Sequence, residues 1–242
     1  MNLLLLPAES LDGQRLRVTD TRRLAHLRDV HRLVPGQSLT VGVENGLMGR
    51  ARLVSLTPEL ADFELEHLTQ KAPPPLPIHV VLALPRPRML ARSLENMAAL
   101  GVKHITLLHT RRVEKSYWQS PELDPLKIRH HMVLGLEQAR DTTMPKVHLA
   151  QRFKPFVEDE LPGLMTGREG LVAHPGEMQS CPPPRALDAP PLLLAIGPEG
   201  GFIEYEMDAL KAAGLKGIHM GERILRVETA VVALLSRLFK PI

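Results

Sequence analysis

Up to Gln70 the chain alternates apolar and polar positions in short runs. Residues 38–43, 50–56 and 62–68 follow a period of two and are separated by Pro35-Gly36, Glu44-Asn45-Gly46 and Thr57-Pro58. Period two turns successive side chains to opposite faces, so these runs predict strands with one buried face, gathered in a small β-barrel-like domain. The opening run Met1-Asn2-Leu3-Leu4-Leu5-Leu6-Pro7 predicts a first strand. Residues 21–33 differ: Leu24, Leu27, Val30 and Leu33 recur at three-residue steps, close to helical spacing, which predicts one helix with Arg23, His26 and Arg32 off its apolar face.

The pattern changes at Pro73-Pro74-Pro75-Leu76-Pro77, a stiff segment that can continue neither a helix nor a central strand. It predicts a linker over residues 73–77 between a domain of residues 1–72 and one of residues 78–242. Beyond it, apolar runs at 78–84, 104–109, 146–149, 170–174, 192–196 and 217–220 alternate with helical stretches at 87–100, 122–140, 156–161, 203–213 and 226–239. Apolar strands interleaved with helices predict an α/β domain whose parallel sheet is covered on both faces. Ligands of such sheets bind beyond the carboxyl ends of the strands. The Pro-rich residues 181–191 predict a loop.

Composition adds bounds. The 242 residues suffice for a large domain and a small one without a disulfide or metal staple. The single cysteine, Cys181, lies beside three prolines, which fits an idle thiol in a reducing compartment better than a nucleophile. The apolar N-terminal run lacks the basic flank and cleavage site of a signal peptide, and no run reaches the ~18 apolar residues of a membrane span. The expected location is the cytoplasm. His26 and His31 lack partners at ligand spacing, so no metal is expected.

Charge leans basic, with a formal net charge of +3 and a pI near 9.2. Arg15, Arg17, Arg22, Arg23, Arg28 and Arg32 form one cluster; Arg86, Arg88, Arg92, Lys103, Arg111, Arg112 and Lys115 form another. Two basic zones suit a polyanion such as RNA, although ordinary solvated faces are the plain alternative. With only 3% aromatic residues, shape and charge, or one flipped base, suit this chain better than a stacking platform.

The residues fit for chemistry stand at the ends of two late strands. Ile196 closes an apolar run and Gly197-Pro198-Glu199-Gly200-Gly201 follows, ahead of a helix with Glu204 and Glu206 in its first turn. This is neither a dinucleotide fingerprint nor a P-loop, and its acids disfavour a phosphate-bearing cofactor. A ligand with a cationic centre and hydrogen-bonding edges fits better; a plain Gly-rich strand-to-helix connection is the alternative. One strand later Gly221-Glu222-Arg223-Ile224-Leu225 opens the last helix at Arg226-Val227-Glu228-Thr229-Ala230. Arg226 stands where a loop enters an apolar helix, a place for a buried pair or a functional cation.

These two loops, read as Ile196-Gly-Pro-Glu-Gly-Gly-Phe202, Met220-Gly-Glu-Arg-Ile-Leu-Arg226 and Glu228-Thr-Ala230, resemble the SPOUT class of methyltransferases and, within it, the ribosomal RNA small-subunit methyltransferase E family. Fainter similarity covers most of the chain: residues 22–28 with Pro35-Gly36, Leu100-Gly101-Val102, Thr110-Arg111-Arg112 and Glu137-Gln138. The resemblance implies a PUA-like RNA-binding β-barrel, then a catalytic domain knotted at its C-terminus, a homodimer, S-adenosylmethionine as cofactor, and methyl transfer to N3 of a uridine in 16S ribosomal RNA of the 30S subunit. It also implies site roles. His174, Pro175, Ile196, Gly197, Pro198, Gly200, Gly201, Met220, Gly221, Ile224 and Leu225 are expected to wrap the cofactor. Arg226 is expected to stabilise the uracil and Glu199 to position it or take its proton, with RNA held by Arg22, Arg23, His26, Arg28, Arg86, Arg88 and Arg112. The chain departs from the family pattern at Ala99, Val113, Val227 and Asp141, all expected to bear on the RNA. Other readings are methylation at another RNA site, an RNA-binding assembly factor without catalysis, and an enzyme acting on a small metabolite.

Overall fold

The computed structural model describes residues 2–239, so Met1 of the expected first strand and residues 240–242 of the expected second domain lie outside it. Two units separate, each with its own sheet. One comprises the chain up to Pro74 together with Leu136–Met144; the other comprises Pro75–Gly135 and the chain from Pro145 onward.

The first unit holds β1 (Leu4–Leu6), β2 (Leu11–Asp12), β3 (Arg15–Val18), helix α1 (Thr21–Ala25), β4 (Ser38–Val43), β5 (Met48–Leu56) and β6 (Ala61–Gln70). The strands form one curled sheet in the order β1-β4-β5-β6-β3-β2, antiparallel except where β1 joins β4. Alternation sets its faces: on β3, Leu16 and Val18 are buried while Arg15 and Arg17 are exposed. Leu16, Val18, Leu53 and Phe63 pack with Leu4, Leu6, Leu24 and Leu27 into its core. Three ion pairs cross the strands: Arg17–Asp62 at 3.3 Å, Arg50–Glu66 at 3.7 Å and Arg52–Glu64 at 2.6 Å. Exposed pairs of this kind contribute at most about 1 kcal/mol each. Their larger effect is to cancel basic charge.

The helix expected over residues 21–33 is shorter than its pattern. The Asp20 carboxylate caps α1 by accepting from the Arg23 N–H at 2.8 Å, a wider π turn follows over His26–Val30, and Arg32 adopts φ 49°. Leu24 and Leu27 are buried, yet Val30 is 66% exposed. Three-residue steps lag a 3.6-residue helix by about 60° each, so by Val30 the stripe has turned out of the core.

Leu136–Met144 is stitched to the same unit. Asn45 N–H donates to the Thr142 carbonyl at 2.7 Å, the Thr142 hydroxyl donates to the Gly46 carbonyl at 2.6 Å, and Met144 N–H donates to Asn45 Oδ1 at 2.9 Å. Here Glu137, part of the fainter family resemblance, meets Arg22 at 3.3 Å and Arg23 at 3.6 Å.

The second unit holds β7 (Ile78–Ala83), α2 (Pro87–Ala99), β8 (His104–Leu108), α3 (Pro125–Ala139, whose last turn counts with the first unit), β9 (Lys146–Ala150), α4 (Phe153–Pro155), α5 (Leu161–Met165), β10 (Glu169–Ala173), β11 (Leu192–Ile196), α6 (Glu204–Ala212), β12 (Leu215–Ile218) and α7 (Val227–Leu238). Its sheet is parallel throughout, in the order β12-β10-β11-β7-β8-β9. The central strands β7 and β11 are buried along their whole length, as a sheet covered on both faces requires. α7 packs on α2 and buries Val227, Val231, Leu234, Leu235 and Leu238, each worth roughly 1.5–3 kcal/mol of apolar burial. The strand expected at residues 217–220 lies two residues earlier, which leaves His219 and Met220 in the following loop. No helix of the described residues is long and apolar enough to cross a membrane.

Candidate active site

The connections after β7 and β11 run to opposite sides of the sheet, and their strands are neighbours. A crevice opens at such a switch point, beyond the carboxyl ends of the strands. Four loops contribute to it: residues 84–86 after β7, residues 174–175 after β10, residues 197–203 after β11 and residues 219–226 after β12.

One cleft, of about 680 Å³ with its open mouth, is lined by His174 and Pro175 after β10, by Ile196, Gly197, Pro198, Glu199 and Gly201, and by Met220, Gly221, Ile224 and Leu225. Ten of the eleven residues expected to wrap a cofactor therefore meet there. The eleventh, Gly200, faces elsewhere: its carbonyl accepts from the Arg112 guanidinium, and a Cβ at this position would stand 2.9 Å from Arg112 Cδ. The missing side chain leaves room for the Arg112 side chain to lie close. At Gly197 a Cβ would stand 3.1 Å from the Phe202 nitrogen and 3.3 Å from Gly201 Cα. A side chain would thus fill the turn that leaves backbone groups facing the cleft.

The two residues expected to act on substrate line an adjoining cavity. Arg226 caps the start of α7 in extended conformation, and its cavity is completed by Arg86, Pro87, Arg88, Met89, Glu199 and Glu228. Glu199 lines both spaces, and its Oε1 accepts from the Arg86 N–H at 3.1 Å. A carboxylate anchored on one side and open on the other can take a proton, and arginines around it can stabilise a developing anion.

Of the other expected RNA contacts, Arg22 and Arg23 are engaged with Glu137, whose side chain is 4% exposed. Burial raises the Glu137 pKa, and the two guanidinium groups oppose that shift. Arg28 pairs with Asp29 at 2.7 Å. Partial burial first, then the positive charge of His31 and Arg22, lowers the pKa of His26. Among the departures from the family pattern, Val113, Val227 and Asp141 are buried. Val113 and Val227 are core positions.

Sequence reasoning missed the structural part played by two residues. Glu206 is 2% exposed; its Oε1 accepts from the Arg111 N–H at 2.6 Å and its Oε2 from the Ile203 N–H at 3.0 Å. It thereby ties the loop after β8 to the loop after β11. Its position in the first turn of α6 suits the reach back to Ile203, but nothing local announces the bond to Arg111. His219 lines the cleft as well, and its predicted place on a strand hid it.

Comparison with known proteins bears on this geometry. A family model described as an RNA methyltransferase domain matches residues 72–239. Ribosomal RNA small subunit methyltransferase E of Treponema pallidum is 30% identical over 212 residues, covering 87% of this chain and 80% of that one. The ribosomal RNA small subunit methyltransferase E of Neisseria gonorrhoeae, solved bound to S-adenosyl methionine, superposes with TM-score 0.77 at 21% identity over 98% of this chain and 95% of that one. A Legionella pneumophila methyltransferase solved with its bound cofactor SAM gives TM-score 0.80 at 23% identity over 97% and 95%. At those identities the two structures speak for the fold, while the family model and the Treponema relative speak for descent. The chain belongs to the RNA methyltransferase family, among the relatives of ribosomal RNA small subunit methyltransferase E.

Proposed function

We propose that this chain methylates N3 of a uridine in 16S ribosomal RNA, working as a homodimer on the small subunit in the cytoplasm. The broader statement, S-adenosylmethionine-dependent methylation of ribosomal RNA, follows from the family. The finer one rests on a single observation: Glu199 and Arg226 share a cavity that adjoins the cleft of the two glycine loops.

The cleft suits S-adenosylmethionine. Apolar walls from Ile196, Ile218 and Leu234 suit an aromatic base, backbone groups of Gly197, Gly221 and Leu225 suit its polar edge, and Glu199 suits a cation. When bound, the cofactor supplies an electrophilic methyl group. Uracil N3 keeps its proton at neutral pH, so the protein must remove it. Glu199 takes that proton, and Arg226 stabilises the negative charge left on the ring oxygens. N3 lies on the pairing edge, so the base enters unpaired or flipped. Arg86, Arg88 and Arg112 hold the phosphates around it, while Arg22, Arg23, His26 and Arg28 form a second contact zone. Ile224, 81% exposed at the rim of the cleft, supports a subunit contact there.

The test is nucleoside mapping by mass spectrometry of 16S ribosomal RNA from a strain lacking the gene. One N3-methyluridine is expected to vanish and to return with the gene on a plasmid. An unchanged map would overturn the proposal.

A further inference from the structure

Strands β10 and β12 are neighbours, and Ala173↔Ile218 is the last pair of their register. The next residue on each is a histidine, and both histidines line the cleft. His174 Nδ1 accepts from the Gly176 N–H at 3.1 Å, and His219 Nδ1 accepts from the Gly221 N–H at 3.0 Å. An imidazole nitrogen that accepts carries no proton, so this geometry suits the tautomer with the ring proton on Nε2. In His219 that Nε2–H points to Ser180 Oγ at 3.2 Å. The His219 backbone is held too: its N–H donates to the Gln179 carbonyl and its carbonyl accepts from the Cys181 N–H, both at 2.8 Å. Gly221, whose N–H the ring holds, adopts φ 108° and opens an exposed loop that runs to Arg226.

We propose that His219 is a positioning residue of the cofactor site. Its main chain is locked to residues 179–181, and its ring acceptor transfers that rigidity to Gly221. The loop carrying Ile224 and Leu225 therefore leaves the sheet in one conformation. His174 acts alike on Gly176 at the neighbouring strand. The inference rests on reading the cleft as the S-adenosylmethionine site. A ring that only filled space would need no acceptor, so the acceptor is what the test must isolate.

The experiment measures S-adenosylmethionine binding by calorimetry, and steady-state kinetics on 30S subunits, for the full chain and its variants. His219→Leu removes the acceptor and leaves the main-chain pairing intact. His219→Asn keeps an oxygen able to accept from the N–H two residues on. The leucine variant is expected to raise Kd and KM for S-adenosylmethionine roughly tenfold, the worth of one hydrogen bond, with kcat changed less than about twofold. Asparagine is expected to recover most of that loss, to within about threefold of the parent protein. His219→Ala, which adds no branched group to a half-buried place, makes the same comparison if the leucine variant does not fold. Parent-like binding by the leucine or alanine variant, or asparagine as weak as leucine, overturns the proposal. A parent protein that binds no S-adenosylmethionine overturns the cofactor reading and this inference together.

Discussion

Arg226 and His79 show how environment assigns roles to single residues. Under the proposed mechanism Arg226 stabilises the negative charge on the uracil, so Arg226→Ala is expected to lower kcat about 10²–10³-fold. Its Kd for S-adenosylmethionine should stay near the parent value, since the side chain lines the adjoining cavity rather than the cleft. Turnover near the parent rate in a variant that binds cofactor normally would remove Arg226 from the chemistry. His79 has no part in the site. It is 8% exposed on β7, with Nε2 2.9 Å from Thr106 Oγ1. Burial first, then the positive charge of His104, Arg168 and His148, lowers its pKa from 6.5 to about 4. The unfolded chain thus binds the proton more readily. The stability held by this group is complete above the unfolded value and is lost as pH falls from 6.5 toward about 4. That loss reaches about 3 kcal/mol. Urea unfolding across this range is expected to show it, and His79→Asn is expected to flatten the acid limb.

Two side chains decide how elements are joined. Glu206 accepts from two backbone N–H groups on different loops, so Glu206→Ala strands both donors at a cost of about 3 kcal/mol. Thermal denaturation should show the loss. Calorimetry should show weaker S-adenosylmethionine binding, because the glycine turn after β11 loses its tie to the loop after β8. An unchanged midpoint would mean that water replaces the carboxylate. Glu137 plays the corresponding part in the first unit. Glu137→Ala leaves Arg23, only 13% exposed, without its anion, and the expected cost is about 3 kcal/mol in urea unfolding of the full chain. A shift below the error of that measurement would show the pair to be idle. The last turn of α3 counts with the first unit although its helix begins in the second, and helical periodicity carried no sign of that division.

For the whole molecule, the net charge of +3 is a poor guide to which cations meet RNA. Arg17, Arg50 and Arg52 on the first sheet each face a carboxylate, whereas Arg86 and Arg88 line the cavity beside Glu199 and Arg226. In filter binding to 30S subunits, Arg86→Ala and Arg88→Ala are each expected to reduce the slope of log affinity against log salt by about 0.7–0.9. Replacing Arg17, Arg50 and Arg52 should leave that slope near its parent value. The opposite ranking would move the RNA surface to the first sheet.

Period-two and helical patterns, with proline and glycine punctuation, were enough to read all six strands of the second sheet and four of the six of the first to within a few residues, the α/β class, and the two glycine loops that converge; the short β2 and β3 escaped them. Those features are local: alternation, a strand end and a turn are written within a few consecutive residues. What only the tertiary structure decided depends on partners distant along the chain. Gly200 serves Arg112 rather than the cleft, Glu137 belongs with Arg22 and Arg23, and Glu206 reaches Arg111. Which carboxylate neutralises an arginine, and which loop a buried acid holds, follow from packing and desolvation. Residue order shows neither until the sheets bring those positions together.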